Sequence, residues 1–302
     1  MIYVVTGGAG FIGSNVVKEL NDRGERNILV VDDFGSDDRW RNLADCFVTI
    51  VNPKDVWLAL REIVGPVTLI HLGARTSTTD KNVEALIETN IRLTTNLFDY
   101  CVYRNWKFIW ASSASVYGKD ADRKSEVDAA YPLSPYAWSK AEAETSILNR
   151  SYKPPVWFVL RLFNVYGPRE AHKGEQRSFV TKCFDAIRAG EAVEIFGNNS
   201  IARDWIYIKD IAKLIVDLSY KDSGSGIYNV GTGRALNFYE VYRICTGPTR
   251  SIDVVIIPFP KELRKGYQTY TRANIDKLKR IMPDFKFMNL EEGIADYWSQ
   301  NQ

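Results

Sequence analysis

Ile2–Thr6 is a short apolar run, and Gly7-Gly8-Ala9-Gly10-Phe11-Ile12-Gly13 follows it directly, before a stretch from Ser14 to Asp22 that reads as a helix. A β-branched run without polar alternation suits a strand buried on both faces. Glycine at 7, 10 and 13 between a strand and a helix is the pattern of a dinucleotide-binding turn. Such glycines permit a tight turn and let backbone N–H groups approach a pyrophosphate at a helix N-terminus. The whole turn, with Phe11 and Ile12, is therefore expected against a cofactor. The fold class that follows is α/β, a doubly wound parallel sheet of Rossmann type.

The chain continues as that class requires. Asn27 to Asp33 supplies a second strand ending in acid, where Asp32 and Asp33 would grip an adenosine ribose with a free 2′-hydroxyl. Arg39 and Lys54 lie where cations would offset those acids and accept a 2′-phosphate, so NAD and NADP both stay open from this end. Asn52-Pro53 reads as an N-cap and first-turn proline for a helix running to about Val64. Val67 to His71 is a strand, with His71 read as a core histidine. Leu72-Gly73-Ala74 is a small-residue turn that lets a cofactor lie close. A long helix is expected from about Val83 to Tyr103, and Asn90 inside it is counted with the cofactor-facing residues. Phe108–Ala111 is another strand, leading into Ser112-Ser113.

Ser134-Pro135-Tyr136-Ala137-Trp138-Ser139-Lys140 carries a tyrosine and a lysine at i and i+4, which share one face of a helix. A phenol is a poor base at neutral pH, and a neighbouring cation favours its phenolate. That pairing suits proton removal from an alcohol while a hydride leaves the same carbon. Ser113, at a strand end where ligands of doubly wound sheets bind, is expected to join Tyr136 and Lys140. After the strand Val156 to Phe163, Gly167 and Pro168 break the pattern, and Glu170 to Arg177 reads as a polar loop. The expected division is a cofactor domain of residues 1–165 plus 204–235, and a smaller mixed α/β substrate domain of 166–203 plus 236–302. The locally basic stretch with Lys261, Arg264, Lys265 and Arg272 would hold a diphosphate if it faced the cleft.

Composition excludes several classes. At 302 residues, 45% hydrophobic and 25% charged, the chain has ordinary globular composition. Lys plus Arg total 39 against 37 acids, so no global field draws in nucleic acid or an anionic membrane. The apolar runs are strand-sized, and Met1 leads straight into Ile2 with no charged n-region, so neither a membrane span nor a secretory signal is expected. Cys46, Cys101, Cys183 and Cys245 lack metal-ligand spacing, and with two histidines no metal site is expected. Reduced thiols in the cytoplasm are the plain expectation.

Several motifs in order carry a resemblance to the extended short-chain dehydrogenase/reductase superfamily, in its sugar-nucleotide branch. They are T-G-G-A-G-F-I-G (Thr6 to Gly13), S-S-A-S-V-Y-G (Ser112 to Gly118), Y-x-x-x-K, R-x-F-N-V-Y-G-P-R (Arg161 to Arg169), R-D-W-I-Y-I-x-D (Arg203 to Asp210) and Y-N-V-G-T-G (Tyr228 to Gly233). Four further stretches resemble the members of that branch that invert C6 of an ADP-linked heptose. These are S-T-T (Ser77 to Thr79), H-K-G (His172 to Gly174), G-T-G-R-A (Gly231 to Ala235) and P-F-P-K-E-L-R-K-G-Y-Q (Pro258 to Gln268).

The resemblance implies transient oxidation of the sugar carbon and re-reduction on its other face. It places proton transfer on Tyr136 and Lys173, sugar positioning on Ser113, and the grip on the nicotinamide ribose on Lys140. A desolvated lysine beside a cofactor is also physically suited to a base's role. The implied substrate contacts are Ser77, Asn164, Val165, Glu175, Phe196, Arg203 and Tyr267. NADP is the expected cofactor with NAD possible, a nucleotide sugar the substrate, and a homo-oligomer the assembly. The chain departs from the heptose pattern at Glu175-Gln176-Arg177-Ser178 and at Phe196-Gly197-Asn198-Asn199, which is one residue tighter before Arg203.

Three alternatives compete. A 4-epimerase would share every cofactor and Ser/Tyr/Lys position but would not need Lys173. A 4,6-dehydratase would carry an Asp-Glu pair where Ala114 and Ser115 stand. A cofactor-sensing protein without catalysis would usually have lost the tyrosine or the lysine.

Overall fold

The computed structural model describes residues 1–196, 201–247, 252–258 and 267–300. A seven-stranded parallel sheet runs in the order Gly226–Val230, Trp157–Leu162, Lys107–Ser113, Val67–His71, Ile2–Thr6, Ile28–Val31, Thr49–Val51. The chain starts mid-sheet, winds outward to Thr49–Val51, then returns to the other side of its first strand. The strand order therefore reverses between Ile2–Thr6 and Val67–His71, and a crevice opens above their carboxyl ends.

The apolar strand runs are explained by helices on both faces. Tyr3, Val4 and Val5 are fully buried. On one face the Phe11–Asp22 helix, through Val16, Val17 and Leu20, packs with Ile211 and Ile215 of the Ile208–Ser219 helix. On the other, Leu97, Phe98, Ala143 and Ile147 cover Leu69, Phe108 and Trp110. Each fully buried Val, Leu, Ile or Phe side chain contributes about 1.5–3 kcal/mol of transfer free energy.

The long helix expected over 83–103 forms, but it is α from Val83–Leu86, π over Ile87–Arg92 and α again over Leu93–Arg104. A second sheet joins Ala235–Asn237, Ala202–Tyr207, Tyr270–Arg272 and Asp120–Asp122, and Asn164–Tyr166 pairs with the far end of Ala202–Tyr207, from Trp205 to Tyr207. Val193–Phe196 and Val254–Ile257 form a separate pair. The second sheet thus takes short strands from both sides of the expected boundaries at 165 and 203. What returns to the main sheet after residue 203 is the Ile208–Ser219 helix and the Gly226–Val230 strand, not Ala202–Tyr207. Among the described residues no helix is long and apolar enough to cross a membrane, and no cluster of three or more His, Cys, Asp or Glu side chains is placed to hold a metal ion.

Candidate active site

The crevice at the strand reversal is a cleft of about 550 Å³. Its floor is the Gly7–Gly13 turn facing Leu72-Gly73-Ala74, and the two turns touch. Gly7 has φ +68°, and a Cβ there would lie 2.5 Å from the Gly73 nitrogen. A Cβ on Gly13 would sit on the carbonyl oxygen of Gly7, so the helix can begin this close to the strand only without side chains. Phe11 and Ile12 also line the floor, and the Asp32 carboxylate lines the end above the second strand, accepting the Ala9 N–H at 2.8 Å. A glycine-walled turn at a helix start, opposite a ribose-height carboxylate, fits a dinucleotide.

One wall carries the reactive hydroxyls. Ser134 caps the Pro135–Leu148 helix by accepting the Ala137 N–H at 3.2 Å, and this sets Tyr136 and Lys140 on the cleft side. The Ser113 oxygen accepts from the Ser115 N–H (3.2 Å) and hydroxyl (2.9 Å), which leaves the Ser113 proton for Tyr136. Burial pushes the Tyr136 phenol up, and that hydrogen bond pulls the other way.

The expected direct support of the phenolate by Lys140 is not what the protein builds. Lys140 is 3% exposed, donates to the Ala111 carbonyl at 2.8 Å and lies 5.0 Å over the Trp110 ring. Burial pushes its ammonium down to about 7, with Glu144 acting in the opposite direction. Helical spacing gives the two residues a common face, but the long lysine stem folds back onto the strand beneath.

Lys173 lies across the same cleft, on the Ala171–Gln176 segment. The sequence offered it as a desolvated amine beside a cofactor, and a carboxylate and a ring accompany it. Its nitrogen is 3.5 Å from the buried Glu170 carboxylate and 4.9 Å from the Phe11 ring centre.

Asn164 and Val165 line the cleft as expected, but several other expected contacts do not. Asn90 is buried in the π segment, with its amide bonded to both backbone groups of Arg75 and to Ser139. It braces the wall and has no N–H left for a cofactor. Asp33 is turned to solvent and accepts from Gly35. Lys54 is exposed on the Pro53–Asp55 turn, and the Arg39 fork is taken by Asp37, so neither brings an uncommitted cation to the ribose end.

Among the expected substrate contacts, Ser77 bonds its neighbour Thr79, and Thr76 lines the cleft instead. Glu175 points outward, its side chain 94% exposed and paired with Lys182. Phe196 is 43% exposed at a strand end beyond the lining, and residues 197–199 lie outside the described residues. Arg203 is buried against the Tyr267 ring at 4.9 Å, and Gln268 ties that cluster to the Ala114 carbonyl at 3.0 Å. Of the basic stretch, Lys261, Arg264 and Lys265 lie outside the described residues, and Arg272 pairs with Asp122 at 2.7 Å. His172 and Gln176 line the cleft without having been expected there; the H-K-G motif was the available signal for His172. His71 is the core residue expected, with Thr6 at 2.6 Å and Thr94 at 2.9 Å on its two nitrogens.

Residues 3–231 match the model of the NAD dependent epimerase/dehydratase family. The chain belongs to this family. An ADP-L-glycero-D-manno-heptose-6-epimerase of Fusobacterium nucleatum subsp. nucleatum is similar at 33% identity, covering 97% of this chain and 96% of the relative. The crystal structure of the Helicobacter pylori ADP-L-glycero-D-manno-heptose-6-epimerase superposes with a TM-score of 0.84 at 27% identity, over 99% of this chain and 95% of that one. The Thermus thermophilus UDP-glucose 4-epimerase in complex with NAD gives 0.81 at 28% identity, over 98% and 97%. As a member of the NAD dependent epimerase/dehydratase family, the chain is a nucleotide-sugar epimerase that uses a nicotinamide dinucleotide.

Proposed function

We propose that the protein inverts C6 of an ADP-linked heptose, as an ADP-L-glycero-D-manno-heptose 6-epimerase, with NAD in the cleft. The observation that carries this reading is the pair of proton-transfer groups lining one cleft, Tyr136 on one wall and Lys173 on the other. Inverting C6 with separate proton transfer on each face of the carbon calls for two such groups, and Tyr136 and Lys173 are the candidates. Gly7, Gly10 and Gly13 hold the dinucleotide and Asp32 accepts from its ribose; Lys140 grips the second ribose. Bound there, the nicotinamide ring takes up and returns a hydride and, when oxidised, adds positive charge beside the phenol. Ser113 steadies the sugar oxygen and delivers its hydrogen bond to the Tyr136 oxygen. Tyr136 takes the hydroxyl proton on one face. Lys173 supplies one to the ketone oxygen on the other, Glu170 keeping the ammonium at the cleft edge.

A second reading is a 4-epimerase, favoured by the same Lys173–Glu170 contact if it only ties the 171–176 segment to the fold. Incubating the purified protein with ADP-D-glycero-D-manno-heptose and following the 6-epimer by NMR separates the two, with UDP-glucose and UDP-N-acetylglucosamine as controls. Lys173→Met should lower C6 epimerisation about 10²- to 10⁴-fold, the usual range for losing an acid–base group. Turnover of a UDP-sugar at C4, unchanged by Lys173→Met, would establish the second reading and remove the first.

A further inference from the structure

A second cavity, of about 400 Å³, lies between the second sheet and the C-terminal helices, and it shares no lining residue with the cleft of Tyr136 and Lys173. Its size is at the small end of small-molecule sites, which span about 300–1,000 Å³. Trp205 and Leu236 enter it from two strands of that sheet, and Leu278 from the Asp276–Ile281 helix. Met282, Phe285 and Phe287 close it from the stretch before the Leu290–Ser299 helix, the two rings meeting edge to face at 5.0 Å. Three cations, Arg234, Lys279 and Lys286, stand in this lining with no carboxylate among them. The G-T-G-R-A stretch contributes Thr232 and Arg234 here, whereas none of its residues lines the cofactor cleft.

The neutral polar groups of the lining are already committed. The Thr232 hydroxyl donates to Asp204 at 2.7 Å and the Trp205 Nε1–H to the Leu236 carbonyl at 3.0 Å. The Asn289 oxygen accepts the Glu292 N–H at 2.8 Å as a helix cap. Little is left to pair with sugar hydroxyls or the edge of a base, and burying those unpaired is costly, whereas a hydrocarbon gains by leaving water. The charges supply the other half of the argument. Arg234 shares Glu291 at 3.3 Å, but Lys279 and Lys286 are exposed and form no ion pair with any described residue. The start of the Leu290–Ser299 helix does not compete for an anion, because Glu291 and Glu292 occupy its first turn. We propose that this cavity binds a small amphipathic acid, its alkyl or aryl body against Trp205, Leu278 and Phe287 and its carboxylate at the ammonium groups of Lys279 and Lys286.

The site is separate from the reaction proposed above and does not depend on which sugar is turned over. Calorimetric titration of octanoate into the protein saturated with NAD⁺ tests it, with hexanoate and 1-octanol for comparison. One octanoate per chain should bind, about 10-fold more tightly than hexanoate, since each buried methylene is worth about 4-fold. It should also bind about 10-fold more tightly than octanol, the low end of the range for hydrogen bonds to a charged group. Lys279→Gln/Lys286→Gln should bring octanoate down to the level of octanol and leave octanol unchanged. Met282→Trp, which fills the cavity, should weaken both ligands at least about 10-fold while NAD⁺ affinity is retained, a loss of several buried methylenes. Octanoate that fails to saturate, competes with NAD⁺ or binds no better than octanol overturns the proposal. So does octanoate affinity that is unchanged in the folded lysine double variant or in a folded Met282→Trp.

Discussion

At the scale of single residues, the cleft places an uncommon demand on Lys140. The helix at Pro135–Leu148 buries a lysine against a carbonyl and an indole face, with no carboxylate in contact. Burying a cation that is not fully paired costs stability, and such a cost is characteristic of functional positions. The sign follows from its lowered pKa, about 7 against the 10.5 of an unburied lysine. At and below pH 7 the folded protein carries the full cost of the buried charge. Between about pH 7 and 10.5 the folded side chain is neutral while the unfolded one is still charged, so the cost fades as pH rises. Lys140→Met should therefore abolish turnover and weaken dinucleotide binding, yet stabilise the cofactor-free protein by about 1–3 kcal/mol at pH 6–7. That gain should shrink by pH 10. Denaturant unfolding of both proteins at the two pH values checks it. A variant less stable than wild type at pH 6 would show that the bond to Ala111 outweighs the desolvation.

At the scale of elements, the strands and helices that carry the site are braced from behind by buried polar side chains. Arg161, on the strand Trp157–Leu162, meets Glu144 of the Tyr136 helix at 2.5 Å, and both side chains are almost wholly buried. Glu144 also accepts from Ser112 at 2.5 Å, one residue before Ser113. Arg161 reaches Tyr117 at 2.8 Å, and Tyr117 donates to Asn229 of the last sheet strand at 2.7 Å. Arg161→Met should cost about 3–5 kcal/mol in urea unfolding, because it leaves the Glu144 carboxylate buried without its partner. Arg161→Met/Glu144→Leu should recover most of that loss. A single variant within 1 kcal/mol of wild type would mean that water replaces the guanidinium.

The π stretch Ile87–Arg92 is a second brace. Its wider turn rephases the helix, and Asn90 reaches Ser139 on the Tyr136 helix at 2.9 Å. Apolar periodicity over 83–103 announces a helix, but periodicity does not reveal one wider turn. Asn90 therefore read as a cofactor contact when it is a strut.

At the scale of the whole molecule, the two sheets are held together by contacts remote in sequence. Asp210, in the first turn of the Ile208–Ser219 helix, accepts the Met288 N–H at 2.7 Å and is 5% exposed. Burial pushes its carboxyl up to about 6, the Met288 bond acting the other way. A raised carboxyl holds its proton more tightly folded than unfolded. Stability from this group is therefore greatest near pH 4, falls as pH rises to about 6, and then stays level. Asp210→Asn should remove that fall, gaining on the order of 1–3 kcal/mol relative to wild type between pH 4.5 and pH 7.5. Urea unfolding at those two values measures it; equal pH profiles would place the Asp210 pKa at its ordinary value.

The residues themselves determined whatever depends on near neighbours along the chain. The glycine turn between strand and helix, the Ser134 cap, the common face of Tyr136 and Lys140 and the both-faces-buried strands follow from local sterics and period. Those features were enough for the doubly wound sheet and for most of the cleft lining. Only the tertiary structure decided which charge meets which: Lys140 with Ala111, Lys173 with Glu170, Arg39 with Asp37, Glu175 with Lys182. It also decided the short strands of the second sheet, whose partners lie far off in sequence, Tyr270 pairing with Ala202 and with Asp120. Long charged side chains have many rotamers of similar energy, and three-residue strands have little propensity of their own. Their partners are chosen by what the folded chain brings within reach, and spacing along the sequence carries no record of it.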